Sequence, residues 1–261
     1  MVGGKFKIYA LIVALVILVF SCSSSIKSPK QFVSKMYRAY GGEKGVALLN
    51  SFEAYGFIKD PGSGIVARSD PYDIFYSGGK FKVRRYRVVK GKAKDVIVYF
   101  YNGREGYEYR YSKGGKEVPE WEIHMVKYRF PSIISWSKEN LDKAKEVIDE
   151  PESGLCYMSF ENGDDLVRVA IERDSGRVRE IEVRSKSDTS FSIVEKYSDY
   201  TEFTEVPFPC RFTSFYRGNK YYEYFLPTVK LGVSIPDSIF GLLPDDTSMI
   251  YHGPKEKKQE M

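Results

Sequence analysis

The sequence predicts a mainly β (α+β) protein whose strands form an antiparallel meander, curled into a barrel or part of one. From residue 51 to residue 225, short stretches with apolar residues at every second position recur between Gly-rich breaks, a pattern typical of antiparallel sheets. Aromatic residues make up 15% of the chain, with 21 Tyr and 17 Phe, and such side chains favour strands. Apolar residues at helical spacing are confined to the start of this domain and to one insert.

The N-terminal segment has the layout of a secretory signal. Lys5 and Lys7 precede an unbroken apolar run over residues 8–20, and a basic region followed by such a run is typical of signal peptides. The run is shorter than the roughly 20 apolar residues that span a bilayer. The segment is therefore predicted to direct export.

The end of this segment is Val19-Phe20-Ser21-Cys22, which is followed by three serines. The order aliphatic, any, small, Cys resembles the lipobox of bacterial lipoproteins. This resemblance implies a lipoprotein signal peptide over residues 1–21 and a diacylglycerol group, with further acyl groups, on Cys22. Two or more acyl chains anchor a protein stably to a membrane. The alternatives are a signal peptide cut elsewhere and an uncleaved anchor.

A tether over residues 22–28 and a single domain over residues 29–244 are predicted next. Ser28-Pro29 is typical of a helix start, with Ser as N-cap and Pro at the first helical position. Gly41-Gly42 ends or kinks this helix, and a second short helix follows. After Pro244 the chain turns polar, and residues 245–261 are expected to be disordered.

The predicted strands fall into two groups. The first group covers residues 51–58, 64–69, 72–77, 80–89, 95–101 and 106–111. The second group covers residues 155–160, 166–172, 178–184, 190–197, 210–216 and 221–225. Asn162-Gly163 is a strong hairpin signal within the second group.

A helical insert is predicted between the two groups. Its apolar residues at helical spacing are Trp121, Met125, Tyr128, Ile133, Ile134 and Trp136, and then Leu141, Ala144 and Ile148 on a short amphipathic helix that ends before Pro151. This spacing is typical of a helix with one buried face. The insert either fills the core of the sheet or forms a lid over an open barrel mouth.

Charge and cysteine content argue against several classes of function. The net charge is +5, and removal of Lys5 and Lys7 with the signal lowers it to +3. Nucleic-acid binding would need a clustered excess of basic residues, so we expect none. Cys156 and Cys210 either form a disulfide or stay as separate thiols. No metal-ligand spacing occurs among the cysteines.

No catalytic residues and no metal site are predicted. The chain has two histidines, His124 and His252, and no Gly-x-Ser-x-Gly turn, which α/β-hydrolases need. The Gly-x-Gly at residues 62–64 precedes a predicted strand rather than the helix of a phosphate-binding loop. We therefore expect that the protein is not an enzyme. A hydrolase, the weakest alternative, would require a polar pocket with clustered titrating groups.

Several short motifs follow one another in an order that resembles a known superfamily. They are YGGEK at 40–44, YNG at 101–103, IERDSG at 171–176, EKYSDY at 195–200, VPFP at 206–209 and VSIPDSIF at 233–240. This order is similar to that of the LolA/LolB-like lipoprotein carriers of the bacterial envelope and their outer-membrane lipoprotein-sorting relatives.

The resemblance implies an unclosed antiparallel half-barrel, with helices covering its concave apolar face. In the carriers that cavity holds the acyl chains of a lipoprotein in transit. The candidates for cavity lining in this chain are Trp121, Met125, Ile133 and Ile134 on the insert and Phe81, Val83, Val96 and Val98 on the sheet. For each of them, ordinary core packing is the alternative.

Two functions therefore stay open. The first is a lipid-anchored envelope protein that binds acyl chains of lipids or lipoproteins, and it requires an apolar cavity. The second is an envelope scaffold or regulatory lipoprotein that uses the same fold to bind a protein partner, and it requires a filled interior with an exposed apolar patch. Because Ser23 after Cys22 carries no acidic retention signal, we expect an outer-membrane location facing the periplasm if the host has two membranes.

Replacement of Cys22 tests the anchor. We expect the mature chain to begin at Cys22 and to carry the mass of acyl groups, because the lipobox directs both processing and acylation. Cys22→Ser should lose that mass, whereas the control Cys210→Ser should keep it, as measured by mass spectrometry of the N-terminal peptide. An unmodified N-terminus at another residue would contradict the prediction.

Overall fold

The computed structural model describes residues 25–59, 69–89, 92–110, 114–117 and 125–243. The predicted signal peptide, Cys22, most of the strand predicted at 64–69, Trp121 and the predicted tail lie outside these ranges.

In the described part of the chain, thirteen strands form one sheet in which all paired neighbours are antiparallel. The strands are β1 Ser51–Lys59, β2 Ser69–Ser77, β3 Lys80–Val89, β4 Lys92–Tyr101, β5 Gly106–Arg110, β6 Gly114–Glu117, β7 Ala144–Glu150, β8 Leu155–Asn162, β9 Asp165–Glu172, β10 Val178–Ser185, β11 Ser192–Phe203, β12 Val206–Tyr216 and β13 Asn219–Leu231. Their order is β6-β5-β4-β3-β2-β1-β13-β12-β11-β10-β9-β8-β7. The two ends, β6 and β7, do not pair with each other, so the sheet is not closed. The predicted mainly β, unclosed architecture is confirmed.

Within the described residues, three α-helices accompany the sheet: α1 Pro29–Ala39, α2 Gly42–Leu49 and α3 Ser132–Glu139. The start of α1 is as predicted, because the hydroxyl of Ser28 accepts a hydrogen bond from the backbone N–H of Gln31 at 3.3 Å. Gly41 separates α1 from α2 with φ of +79°, a conformation that glycine adopts without strain.

The two groups of strands join through β1 and β13. The register runs from the pair Phe52 and Leu231 to the pair Lys59 and Glu223, with a shift beside Gly56. A Cβ atom at Gly56 would lie 1.7 Å from the carbonyl oxygen of Phe225, so the close approach of β13 requires glycine. Every other pair of neighbouring strands is consecutive in the sequence.

The core lies between the helices and one face of the sheet. In β8 the period of two buries Cys156, Met158 and Phe160. Helix α1 turns Phe32 and Met36 toward the same core, and both side chains are fully buried. Removal of such apolar side chains from water is the main stabilising term in this kind of packing.

Residues 144–150 correct one secondary-structure prediction. They form the edge strand β7 and pair with β8, so the predicted helix through Leu141, Ala144 and Ile148 is wrong. Ile148 is 37% exposed, and Val147, which lies off the predicted helical face, packs against the core. Over so short a segment, apolar residues three and four positions apart fit either a helix or a strand. The backbone hydrogen bonds to β8 decide for the strand.

The Gly114-Gly115 pair also behaves differently from the prediction. The first group of predicted strands ends at residue 111, yet Gly114-Gly115 begins the short edge strand β6, which pairs with β5.

The two cysteines that the structure describes are free thiols. Cys156 is buried on β8 and Cys210 is half-buried on β12, and three strands separate these two in the sheet. Burial raises the pKa of the Cys156 thiol to about 11. The alternative of separate thiols is thus the one that the structure shows.

None of the helices described here is both long and apolar enough to cross a bilayer.

Candidate functional site

Two adjoining cavities lie on the concave face of the sheet. The larger has a volume of about 130 Å³ and the smaller of about 100 Å³. Five residues line both cavities: Tyr72, Phe81, Val83, Arg129 and Tyr224. The two cavities are therefore neighbouring parts of one site.

Aromatic and aliphatic side chains make most of the wall of the larger cavity. Those from the sheet include Phe52, Ile74, Tyr76, Phe208, Phe212 and Leu226. They come from strands on both sides of the pairing between β1 and β13, where the period of two turns them to the same face. The rings of Phe212 and Tyr224 stack at 4.2 Å between centroids, which fixes this part of the wall.

The smaller cavity has a different wall. It adds the tyrosines Tyr99, Tyr216, Tyr221 and Tyr222 together with Arg85. The guanidinium carbon of Arg85 lies 5.8 Å from the centre of the Tyr222 ring, a distance typical of a cation–π contact. One part of the site is thus mainly apolar, and the other presents hydroxyls and a guanidinium.

The lid segment, defined as residues 125–143, covers the concave face. It contains a short 3-10 turn at Val126–Tyr128, helix α3 and a second turn at Leu141–Lys143. The ring of Phe130 lies 5.7 Å from that of Tyr197 and 5.4 Å from that of Phe208. The lid therefore packs on the sheet through aromatic contacts.

Polar contacts attach the lid to both groups of strands. The hydroxyl of Tyr76 on β2 lies 2.7 Å from that of Ser132. On the other side, the hydroxyl of Tyr128 donates a hydrogen bond to Asp165 on β9, and the backbone N–H of Phe130 donates to the hydroxyl of Tyr197 at 3.2 Å. The lid thus bridges the two halves of the sheet.

A charged pair lies where the lid meets β11. The Nε of Arg129 is 2.9 Å from a carboxylate oxygen of Glu195, whose side chain is 6% exposed. The hydroxyl of Tyr197 donates to the other carboxylate oxygen at 2.6 Å. A carboxylate so deeply buried needs such partners, because desolvation would otherwise disfavour its charge.

Burial affects the ionisation of four tyrosines of the wall. Burial raises the pKa of Tyr72, Tyr76, Tyr197 and Tyr224 above the ordinary value for tyrosine. Their hydroxyls accordingly keep their protons at physiological pH. The charged side chains among the lining residues are Arg85, Arg129 and Glu195.

Both cavities are small. An apolar cavity of about 150 Å³ holds a molecule of the size of benzene, and each cavity here is smaller than that. Neither cavity would hold a whole acyl chain within these volumes.

The predicted lining residues separate into three sets. Phe81 and Val83 line both cavities. Met125, Ile133 and Ile134 lie on the lid itself, where they pack into the core with at most 2% exposure and line neither cavity. Core packing, the stated alternative, is what the structure gives for these three.

The remaining predicted residues lie on β4 and in the insert. Val98 is buried in a separate cluster with Tyr86 and Phe100, so its assignment to the cavity is corrected. Val83 pairs with Tyr99, and alternation along β4 turns Val98 to the opposite face. Val96 on β4 pairs with Tyr86 on β3, but the side chain of Val96 and the whole of Trp121 lie outside what the structure describes.

The sequence analysis did not predict three important residues of the cavity walls. Arg129, Glu195 and Tyr224 come from three distant segments, and no local motif joins them. Alternation along β11 puts Glu195 on the same face as Tyr197, and a carboxylate on the apolar face of a strand is a signal that could have pointed to this residue.

Two crystal structures superpose on most of this chain. A LolA superfamily protein from Nitrosomonas europaea gives a TM-score of 0.52 at 11% identity, over 84% of this chain and 99% of that one. An outer membrane lipoprotein-sorting protein domain from Vibrio parahaemolyticus gives 0.50 at 9% identity, over 80% and 94%. The fold is LolA-like.

The resemblance seen over residues 40–240 is thereby confirmed at the level of the fold. No family model matches the sequence, and no curated protein is significantly similar to it. The LolA-like fold is therefore recognised here through its backbone rather than through sequence identity.

The Arg129–Glu195 pair should hold the lid closed. Arg129→Met leaves the buried Glu195 without its cation, and we expect the free energy of unfolding to fall by about 2 kcal/mol, less than for a fully buried pair because Arg129 is partly exposed. The double change Arg129→Met with Glu195→Gln removes the unpaired charge and should recover at least half of this loss. Denaturant unfolding measures both values. Equal stability of the single variant and the wild type would contradict the assignment.

Proposed function

We propose that the protein is a lipid-anchored protein of the cell envelope that binds acyl chains in the cavity of its LolA-like half-barrel, in lipoprotein sorting or lipid transfer. The observation that carries this proposal is the pair of adjoining cavities, whose walls combine residues from both halves of the sheet beneath the lid segment. The fold class alone would not support it, because one fold hosts many functions.

Burial of an acyl chain would supply the binding energy. Each methylene group withdrawn from water contributes about 0.8 kcal/mol. A long chain therefore gains on the order of 10 kcal/mol, from which the cost of ordering the chain and moving the lid is subtracted. Such binding is non-directional, which suits a carrier that accepts chains of different length.

Binding would be reversible because the acyl chain would take the place of the lid on the sheet. With the lid closed, Phe130 contacts Tyr197 and Phe208, both of which also line the larger cavity. An acyl chain that displaced Phe130 would cover the same rings. The net change in exposed apolar surface is then small, and a small net free energy allows both uptake and release.

The proposed location follows from the N-terminal segment. Acylation of Cys22 would keep the domain within tether length of a membrane, and the outer membrane is the expected one if the host has two. The envelope is also where a lipid ligand and any lipoprotein partner would be met.

The small cavity volumes favour a second candidate. A scaffold or regulatory lipoprotein with the same fold would keep its interior filled and bind an envelope protein through its surface. The edge strands β6 and β7, each paired on one side in the described residues, offer backbone groups that a partner strand can pair with.

A charge placed in the cavity distinguishes the two candidates. Val83 is half-buried and lines both cavities, so Val83→Asp should weaken binding of palmitate at least tenfold by placing a carboxylate beside the chain. The matched control is Leu166→Asp, at an outward position that is 36% exposed, and it should bind as the wild type does. Equilibrium dialysis with radiolabelled palmitate on the full chain measures both.

Absence of palmitate uptake by the folded wild-type chain would reject the acyl-binding proposal and leave the scaffold candidate. Equal loss in both variants would also contradict it, since the effect would then not come from the cavity.

A further inference from the structure

The outward face of helix α1 carries a stripe of basic and polar side chains. Lys30, Gln31, Ser34, Lys35 and Arg38 recur at helical spacing, and all but the half-buried Lys35 are exposed. The opposite face of the helix supplies its buried apolar residues to the core. The stripe is thus turned away from the cavities and from the lid.

These side chains line a surface groove. Its volume is about 360 Å³, and its walls are Ser25, Ile26, Lys30, Gln31, Ser34, Lys35 and Arg38. Ammonium, guanidinium, hydroxyl and amide groups all donate hydrogen bonds, and the combination is suited to an oxyanion such as a phosphate.

The positive charge of the groove is not neutralised by the described part of the protein. Residues 25–41 contain four basic residues, Lys27, Lys30, Lys35 and Arg38, and no acidic residue. Among the residues that the structure describes, no carboxylate oxygen lies within 4 Å of these four cations. Several other basic residues of the fold are paired with carboxylates, as Arg173 is with Asp149 and Arg179 with Glu172.

The position of the groove along the chain supplies the second argument. Ser25 lies three residues after Cys22, and three extended residues span at most about 10 Å. That distance is close to the Debye length of about 8 Å at physiological ionic strength. If Cys22 is anchored, the groove lies where the charge of a membrane surface is still felt.

We propose that this groove binds the phosphate groups of anionic phospholipids in the membrane that holds the chain. The proposal rests on the anchoring part of the proposed function and is independent of the cavity. The contact would fix the orientation of the domain, with α1 against the headgroups and the opposite, convex side of the sheet away from them. Each basic residue near an anionic surface strengthens such binding about fivefold.

Chemical labelling of lysines tests the proposal on the full chain. The protein is reconstituted into vesicles of pure phosphatidylcholine, or of phosphatidylcholine with about one third phosphatidylglycerol, and acetylation rates are read by mass spectrometry. We expect Lys30 and Lys35 to react about fivefold more slowly on the anionic vesicles. Lys196 and Lys230, which point outward on β11 and β13, serve as internal controls and should react at equal rates on both.

Substitutions and high salt test whether the protection comes from the charges of the groove. The double variant Lys30→Gln with Arg38→Gln should abolish the protection of Lys35, whereas the charge-matched variant Lys196→Gln with Lys230→Gln should retain it. Salt at about 1 M, where the Debye length is about 3 Å, should remove the protection.

Equal acetylation of Lys30 and Lys35 on both vesicles would overturn the proposal. Protection by inorganic phosphate alone on neutral vesicles would also overturn it, because the groove would then be a site for a free anion. If the protein fails to attach to neutral vesicles, the lipid anchor is missing. If it attaches but its lysines are not protected on anionic vesicles, only the proposal that the groove binds phosphate groups is refuted.

Discussion

The pairing of β1 with β13 is the constraint on which the rest of the structure depends. Within the described sheet, this pairing alone joins strands that are distant in the sequence, and it unites the first group of strands with the second. Gly56 allows the backbone of β13 to approach closely at the centre of this pairing. The cavities lie over the same junction, since Tyr72 comes from one group and Tyr224 from the other. The site exists only when the two halves are joined.

The lid segment is the second element that spans this junction. Its contacts with Tyr76 on one half and with Tyr197 on the other make it a cover for both halves rather than part of either. A buried carboxylate on the sheet and an arginine on the lid meet at the same place. Polar groups in an otherwise aromatic interior fix the position of the lid, because apolar packing alone is less directional.

The sequence predicted the strands well where the period of two and the turn residues agreed. Strand β3 matches residues 80–89, and the hairpin at Asn162-Gly163 joins β8 and β9. The edge strands were harder, because β7 is defined by its pairing with β8 and its apolar spacing also fits a helix. The Gly-rich strand β6 carries almost no apolar signal and is likewise defined by its neighbour.

Only part of the site could be predicted from the sequence. Phe81 and Val83 follow from a strand with one apolar face, and both line the cavities. Val98 illustrates the limit, since alternation shows which residues of one strand share a face but not how that face aligns with the next strand. The register of β3 with β4 supplies that relation. Arg129 and Glu195 depend on a contact between distant segments, which no spacing reveals.

Photocrosslinking with a palmitate analogue that carries a diazirine near the end of its chain tests the central claim most directly. If an acyl chain displaces the lid and occupies the joined cavities, crosslinks on the full chain should map to Phe81, Val83 and Tyr224, and to Val126 or Phe130 of the lid. Crosslinks confined to the separate cluster of Tyr86, Val98 and Phe100, or no specific crosslinks to the folded protein, would contradict the account.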